Sequence, residues 1–123
     1  MTKILIVEDN EMNRDMLSRR LERKGFQTMM AIDGQQAIDL AESYQPDIIL
    51  MDMSLPVMDG WEATKLLKHN NTSKDIPIIG LSAHARDVDI IKGMKAGCDA
   101  YETKPIEFPR LISTISLLIN SKK

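Results

Sequence analysis

The sequence has a single cysteine, few aromatic residues (4%) and no long hydrophobic run. Because Cys98 has no internal partner, a disulfide framework is excluded, which is typical of a protein from the reducing cytoplasm. No apolar stretch approaches the roughly 20 residues that span a bilayer. The N-terminal segment MTKILIVEDN lacks both the long apolar region and the small-residue cleavage site of a signal peptide, and it predicts a strand instead.

An excess of positive charge is also missing, since 16 basic residues face 18 acidic ones for a net charge of −2. This balance excludes the basic surface of a nucleic-acid-binding domain and the polybasic segment of a membrane anchor. The sequence contains no repeat, low-complexity tract or linker, so residues 1–123 are expected to form one domain. Most of its nine methionines are expected to fill the core.

Short apolar runs alternate with amphipathic segments along the whole chain. The five predicted strands are Ile4–Val7, Phe26–Met30, Asp47–Met51, Ile76–Leu81 and Asp99–Glu102. Runs that are apolar throughout are typical of parallel strands buried on both faces. Alternation with five helices therefore predicts an α/β fold with a doubly wound, five-stranded parallel sheet.

The helices are predicted from apolar residues at helical spacing and from their stop signals. Gly25, Pro46 and Gly97 end the first, second and fourth helices. The residues expected to pack inward are Met12, Met16, Leu17 and Leu21 in the first helix; Ala37, Leu40, Ala41 and Tyr44 in the second; Ala63, Leu66 and Leu67 in the third; Val88, Ile91 and Met94 in the fourth; and Phe108, Leu111, Ile112, Ile115, Leu118 and Ile119 in the fifth.

Residues with reactive or charged side chains follow four of the five apolar runs. Ligands of such sheets bind beyond the carboxyl ends of the strands. The residues at those ends are Glu8, Asp9, Asp52, Ser82 and Lys104. Three carboxylates at one edge repel one another unless a cation offsets their charge. Oxygen ligands of this kind favour Mg²⁺ or Mn²⁺, and Lys104 adds a fixed positive charge.

An aspartate beside such a metal is a candidate nucleophile for phosphoryl transfer. Asp52 follows the most apolar strand, whereas Glu8 and Asp9 are placed to hold the metal. Ser82 and Lys104 would donate hydrogen bonds to the phosphoryl oxygens. Each residue alone has a simpler reading as a helix cap or a solvated surface charge. Their joint occurrence at the ends of strands one, three, four and five favours a site.

Four segments, ILIVEDN, MDMSLPVMDG, GLSAHA and YETKP, resemble in order and spacing the receiver domain of two-component response regulators, in its single-domain form. The resemblance covers essentially the whole chain. It implies a flavodoxin-like sheet with strand order 2-1-3-4-5. It also implies a signalling switch that accepts a phosphoryl group and turns over no separate substrate, rather than an enzyme.

The resemblance also implies a role for each motif residue. Asp52 matches the phosphoacceptor, and Glu8 and Asp9 match the acidic pair that binds Mg²⁺ together with the backbone carbonyl of Ser54. Ser82 matches the hydroxyl of the switch, and Tyr101 the aromatic residue that moves inward with it. Lys104 matches the lysine of the site, and Lys104–Pro105 the peptide bond that is usually cis.

Further expectations concern kinetics and partners. Ser54 and His84 occupy positions that tune phosphoryl lifetime in the family, although His84 also fits a surface role. The segment VEDNEMNR is similar to receivers of hybrid kinases and phosphorelays, so a histidine kinase or histidine phosphotransfer protein is the expected donor, contacting Asn13 and Arg14. The output surface would be formed by the fourth helix, fifth strand and fifth helix. Its candidate contacts are Lys92, Lys95, Glu102 and Arg110.

Three alternatives remain open from the sequence. A flavodoxin-like electron carrier has the same architecture, but Glu8, Asp9 and Glu11 would repel the phosphate of FMN. A pseudo-receiver would bind partners without being phosphorylated, and it would not need all five site residues. The chain could also be the receiver fragment of a hybrid histidine kinase. Since no output domain follows residue 119, we expect a monomer or weak dimer that acts on a protein effector and not on nucleic acid.

Overall fold

The computed structural model describes residues 2–83 and 86–121 of the chain. His84, a predicted tuning position, therefore lies outside the described residues. The strands are β1 (Lys3–Val7), β2 (Gln27–Ala31), β3 (Ile48–Asp52), β4 (Ile78–Ser82) and β5 (Ala100–Thr103). The helices are α1 (Glu11–Arg23), α2 (Gly34–Tyr44), α3 (Gly60–His69), α4 (Asp87–Ala96) and α5 (Phe108–Ser121). None of the helices in these ranges is long and apolar enough to span a membrane.

All five strands are parallel and lie in the order β2-β1-β3-β4-β5, which confirms the predicted fold. Every residue of β3 and β4 is buried, as expected for central strands covered on both faces. The edge strand β2 is more exposed, with only Ala31 buried. β2 lies on one side of β1, and the later strands β3, β4 and β5 follow in order on the other side. The topological switch point of the sheet therefore lies at the carboxyl ends of β1 and β3.

Two separate cores pack against opposite faces of the sheet. On one face, Leu17 and Leu21 of α1 and Leu111 and Ile115 of α5 cover the central strands. On the other face, small residues of α2 and α3 allow those helices to lie close to the strands. The members from α2 and α3 are Ala37, Ala41, Ala63 and Leu67. Each core belongs to one layer of helices, and the sheet separates them.

The helix termini agree with the predicted stop signals. Gly25 and Gly97 have φ angles of 95° and 119°, a region that favours glycine, at the ends of α1 and α4. Three helices start at capping side chains that accept a hydrogen bond from a backbone N–H, namely Asn10, Asp33 and Asp59. Asn10, rather than the acidic pair before it, caps α1.

The expectation that most methionines fill the core is wrong. Among the described residues only Met51 and Met53 are fully buried, whereas Met12, Met16, Met29, Met30 and Met94 are exposed. The predicted inward faces of α3 and α4 are also partly wrong, because Leu66 in α3 and Val88, Ile91 and Met94 in α4 are exposed. The buried side of α4 consists of Asp89, Gly93 and Ala96 instead. Small residues replace the expected apolar stripe where this helix approaches the sheet.

A candidate metal and phosphoryl-transfer site at the strand ends

Three carboxylates meet at the switch point of the sheet. Glu8 follows β1 and is buried, Asp52 is the last residue of β3 and is also buried, and Asp9 is exposed. One oxygen from each of the three lies within 4.8 Å of the others. The structure therefore brings together the three acids that the sequence predicted, although they are separated by up to 44 positions.

Lys104 joins the two buried carboxylates from the end of β5. Its Nζ lies 3.1 Å from Glu8 Oε1 and 3.3 Å from Asp52 Oδ2. The Lys104–Pro105 peptide bond is cis, as expected. The Lys104 backbone N–H donates to the carbonyl of Ser82, 2.7 Å away, so β4 and β5 end together. Burial lowers the pKa of Lys104, but Asp52 and Glu8 more than offset this and leave it raised.

The two buried acids have opposite pKa shifts. The pKa of Glu8 is raised to about 7, first by burial and then by its hydrogen bond with Asp52. Burial also acts to raise the pKa of Asp52, but hydrogen bonds from Glu8 and the Ser54 backbone N–H and the charge of Lys104 lower it overall. In the metal-free protein, Glu8 is therefore the acid that carries a proton near neutral pH, and Asp52 is the one that is ionised.

The arrangement of the carboxylate oxygens is suited to binding a divalent cation. Glu8 Oε1 accepts hydrogen bonds from Asn13 Nδ2 at 2.8 Å and from Lys104 Nζ. Glu8 Oε2 is buried and has no hydrogen-bond partner among the described residues. A buried carboxylate oxygen without a donor is unfavourable unless a proton or a cation binds it. Together with Asp9 and Asp52, this oxygen fits a hard divalent cation.

Asn13 and Arg14 hold the segment of Glu8 and Asp9 in place by hydrogen bonds, a role that was not predicted from the sequence. It assigned both residues to recognition of a partner. Arg14 Nη1 donates to the backbone carbonyls of Glu8 and Asp9, each at 3.0 Å, while Asn13 orients the Glu8 carboxylate. Their positions five and six residues after Glu8, in the first turns of α1, were the available signal.

Ser82 and Tyr101 form a second part of the site. Ser82 is the buried last residue of β4. The hydroxyl of Tyr101 in the neighbouring strand β5 is buried and has no hydrogen-bond partner among the described residues. Burial raises the pKa of Tyr101, and the nearby Ser82 side chain acts in the opposite direction. The Tyr101 ring occupies an inward position between two glycines. A Cβ atom on Gly80 would lie 3.0 Å from ring atom Cδ2, and one on Gly93 would lie 2.7 Å from Cε2.

The sequence reading missed these two glycines and Trp61, because packing of a ring against a missing side chain leaves no periodic pattern. Trp61 in α3 contacts the same part of α4, with Nε1 at 3.8 Å from the Cβ position of Gly93. Lys92 and Lys95, predicted as output contacts, lie on the side of α4 that faces Trp61 and α3. Lys92 Nζ is 4.0 Å from the centre of the indole ring.

The loop from β3 to α3 brings the chain close to the site. Ser54, the residue expected to contribute a carbonyl ligand, is exposed, and its N–H donates to Asp52 Oδ1 at 3.0 Å. Asp59 caps α3 by accepting from the N–H of Glu62, which agrees with a turn role for Asp59–Gly60. Gly60 is required here because a Cβ would lie 2.7 Å from the Cα atom of Met53.

Comparisons with known proteins agree with this geometry. Residues 4–116 match the family model of the response regulator receiver domain. The polar-differentiation response regulator DivK of Brucella ovis is 43% identical over 116 residues, with 94% of each chain covered. The receiver domain of a Francisella response regulator superposes with a TM-score of 0.93 at 31% identity over the full length of both chains.

A further solved structure is the receiver domain of a sensor histidine kinase from Pseudomonas aeruginosa, which has a magnesium ion coordinated in its active-site cleft. It matches with a TM-score of 0.90 and 34% identity, covering 97% of this chain and 98% of the other. The family model spans most of the sequence, and the relatives match it almost from end to end. The chain belongs to the response regulator receiver domain family, whose general function is a phosphorylation switch.

Proposed function

We propose that this chain is a phosphorylation-activated switch in which Asp52 accepts a phosphoryl group from a phosphohistidine of a histidine kinase or histidine phosphotransfer protein. The observation that carries the proposal is the convergence of Glu8, Asp9 and Asp52, with one oxygen of each within 4.8 Å of the others and Lys104 Nζ 3.3 Å from Asp52 Oδ2. Asp52 is ionised near neutral pH and therefore nucleophilic, while the adjacent Glu8 has a pKa of about 7. A carboxylate oxygen of Asp52 attacks phosphorus, and the P–N bond to the histidine breaks, with its electron pair leaving on nitrogen.

Glu8, Asp9 and Asp52, with the carbonyl of Ser54, would hold Mg²⁺, and Mn²⁺ has similar ligand preferences. The orphaned Glu8 Oε2 supports this ligand set. When bound, the ion supplies positive charge that stabilises the oxygens of the transferring group. Lys104 is already directed at Asp52 Oδ2, so its ammonium donates to the phosphoryl oxygens without rearrangement of the backbone.

Ser82 and Tyr101 would convert the modification into a change of surface. A phosphoryl group on Asp52 adds hydrogen-bond acceptors for the hydroxyl of Ser82, the buried last residue of the neighbouring strand β4. Movement of Ser82 toward those acceptors would change the space around the Tyr101 ring, which lies between Gly80 and Gly93. Since Gly93 belongs to α4, the change reaches the surface made by α4, β5 and α5, where a downstream protein effector binds.

A cytoplasmic location and a monomeric or weakly dimeric state complete the proposal. The negative net charge gives no support for direct binding of nucleic acid. A pseudo-receiver role is less well supported, because Glu8, Asp9, Asp52 and Lys104 converge within hydrogen-bonding or ligand distance of one another.

The test is incubation with acetyl phosphate and Mg²⁺, followed by intact-mass measurement. We expect a gain of one phosphoryl group in the native chain and no gain in Asp52→Asn or in the presence of a chelator. Asp59→Asn is the matched control, since Asp59 lies in the same loop and asparagine preserves its capping role. A folded native chain that gains no phosphoryl group, or an Asp52→Asn variant that does, would refute the proposal.

A further inference from the structure

A groove separates α3 from α4 on the outer face of the molecule. Its volume is about 410 Å³, and it is lined by Trp61 and Lys65 from α3 and by Val88, Ile91, Lys92 and Lys95 from α4. The four α4 residues follow helical i, i+3, i+4, i+7 spacing, so they form one continuous face of that helix. The groove is distinct from the acidic site at the strand ends, because no residue is shared between them.

The groove has an apolar floor, in which Val88 and Ile91 are uncovered and Lys92 lies over the Trp61 ring. Val88 and Ile91 are 62% and 53% exposed, although both are β-branched aliphatic residues in a helix. Trp61 adds an indole ring whose Nε1 is buried without a hydrogen-bond partner among the described residues. Exposed apolar residues gathered in a concave surface are typical of an interaction site, whereas single ones are not.

The rim of the groove is basic. Lys65, Lys92 and Lys95 are exposed, and none of them takes part in an ion pair within the described parts of the chain. The acidic residues of the two helices, Glu62, Asp87 and Asp89, do not line the groove. Asp89 is paired with Arg86, 3.1 Å away. A chain with negative net charge therefore presents a local positive rim around an apolar floor.

The apolar floor and basic rim of the groove favour one kind of binding partner over others. A second copy of the chain, related by a twofold axis through the groove, would bring the same three lysines against each other, which is unfavourable. The phosphate backbone of a nucleic acid would pair with the lysines but leave Val88 and Ile91 facing polar groups. An amphipathic protein helix with acidic flanks satisfies both the floor and the rim.

We propose that the α3–α4 groove binds an amphipathic helical segment of a partner protein, with aliphatic residues over Trp61, Val88 and Ile91 and carboxylates paired with Lys65, Lys92 and Lys95. The groove is complete without phosphorylation of Asp52, so the proposal does not depend on the function proposed above. Gly93 of α4 lies between Tyr101 and Trp61, since a Cβ on it would lie 2.7 Å from Tyr101 Cε2 and 3.8 Å from Trp61 Nε1.

Trp61 allows a direct measurement because it is the only tryptophan of the sequence, and Lys92 stacks on it. Three synthetic helical peptides of about four turns serve as probes. The first combines leucine at helical spacing with glutamate elsewhere, the second replaces glutamate by lysine, and the third replaces leucine by alanine. We expect a saturable change in Trp61 fluorescence with the first peptide alone, in the native chain and equally in Asp52→Asn.

The matched variants reverse two charges inside or outside the groove. Lys92→Glu/Lys95→Glu should weaken binding of the acidic peptide by at least about tenfold, equivalent to the loss of two exposed ion pairs, and favour the lysine peptide. Lys24→Glu/Lys74→Glu changes net charge equally at exposed positions elsewhere and should bind as the native chain does.

Two further outcomes would overturn the proposal. Equal binding of the leucine and alanine acidic peptides would indicate charge attraction without a groove. Absence of a saturable signal, or native affinity in Lys92→Glu/Lys95→Glu, would show that the groove does not bind such a helix. Because Asp52→Asn is measured in parallel, failure here leaves the phosphorylation test unaffected, and the converse also holds.

Discussion

Glu8 and Asp52 are neighbouring buried carboxyl groups whose pKa values are shifted in opposite directions, so below about pH 7 the pair carries one negative charge rather than two. Lys104 contacts both of them, yet its single positive charge offsets only one carboxylate. Burial raises the pKa of Glu8 to about 7, whereas contacts with Glu8, Ser54 and Lys104 offset burial and lower the pKa of Asp52. The proton on Glu8 thus occupies the position that a cation is suited to take.

The stability of the metal-free protein should fall as pH rises from 4.5 to about 7. Glu8 has its ordinary pKa of 4.5 in the unfolded chain and about 7 in the folded one, so the folded state binds the extra proton in that window. Stability from this group is present below 4.5 and is lost by pH 7, by up to about 3 kcal/mol. The lowered pKa of Asp52 acts only at more acidic pH.

Urea unfolding with a chelator present, at several pH values, measures this effect. Glu8→Gln should remove the fall in the free energy of unfolding between pH 4.5 and 7. Glu11→Gln, at an exposed position in the first turn of α1, is the control and should retain it. A native profile that rises through this window would contradict the assigned protonation.

Magnesium should stabilise the protein more at pH 8 than at pH 5. At pH 5 the ion must displace a proton from Glu8, whereas at pH 8 that group is already ionised. The increase in Tm on addition of Mg²⁺ measures this linkage, since a ligand of the folded state alone raises stability by mass action. Glu8→Gln should show a small increase at both pH values, and an equal increase in the native chain at both would argue against Glu8 as a ligand.

Removal of the Lys104 charge should lower the stability of the protein more at high pH than at low pH. Lys104→Met leaves Glu8 and Asp52 without their cation, which should lower the free energy of unfolding by about 1 to 3 kcal/mol at pH 8. The loss should be smaller at pH 5, where Glu8 is protonated. Arg110→Met breaks the exposed pair with Glu107 and should have little effect at either pH. Equal losses for the two variants would contradict the coupling.

Replacement of Val57 should stabilise the protein. Val57 has a φ angle of 67° at the centre of a tight turn closed by the Met58 N–H and the Pro56 carbonyl at 2.6 Å. This conformation is unfavourable for a β-branched residue, and the side chain is 89% exposed, so no packing is lost on replacement. Val57→Asn should raise the free energy of unfolding by about 1 kcal/mol.

The control for that prediction is Val88→Asn, which makes the same exchange at an exposed position in α4. It should leave stability unchanged or lower it, because Val88 lies in a regular helix. Stabilisation of both variants, measured by urea unfolding, would point to a general effect of removing exposed valine.

Gly93→Ala should displace the Tyr101 ring. Alanine favours helix by about 1 kcal/mol over glycine, but its Cβ would lie 2.7 Å from the Tyr101 ring. We expect a net loss of stability in the native background and a gain of up to about 1 kcal/mol when Tyr101→Ala removes the ring. The chemical shifts of the Tyr101 ring report its displacement. A gain in both backgrounds would show that the ring does not occupy this space.

The sequence was sufficient to predict which side chains meet at one edge of the sheet, because strand ends are local features. Asp52 and Ser82 directly end apolar runs, and parallel strands place such ends at one edge. The helix faces were harder to predict. Val88, Ile91 and Met94 have helical spacing, but Gly93 and Ala96 let α4 approach closely with its small side. Periodicity shows where apolar residues recur, but it does not show which side of a helix packs closely against its neighbours. The exposed α3–α4 groove and the packing of Tyr101 between Gly80 and Gly93 could therefore not be predicted from the sequence.

The sheet is also a partition between two independently packed cores. The layer of α1 and α5 shares no core residue with the layer of α2 and α3. Substitutions at distant sites that share no contacts have additive effects on stability, so a change in one layer needs no compensating change in the other. Within a lineage, substitutions in the layer of α1 and α5 can therefore accumulate separately from substitutions in the layer of α2 and α3.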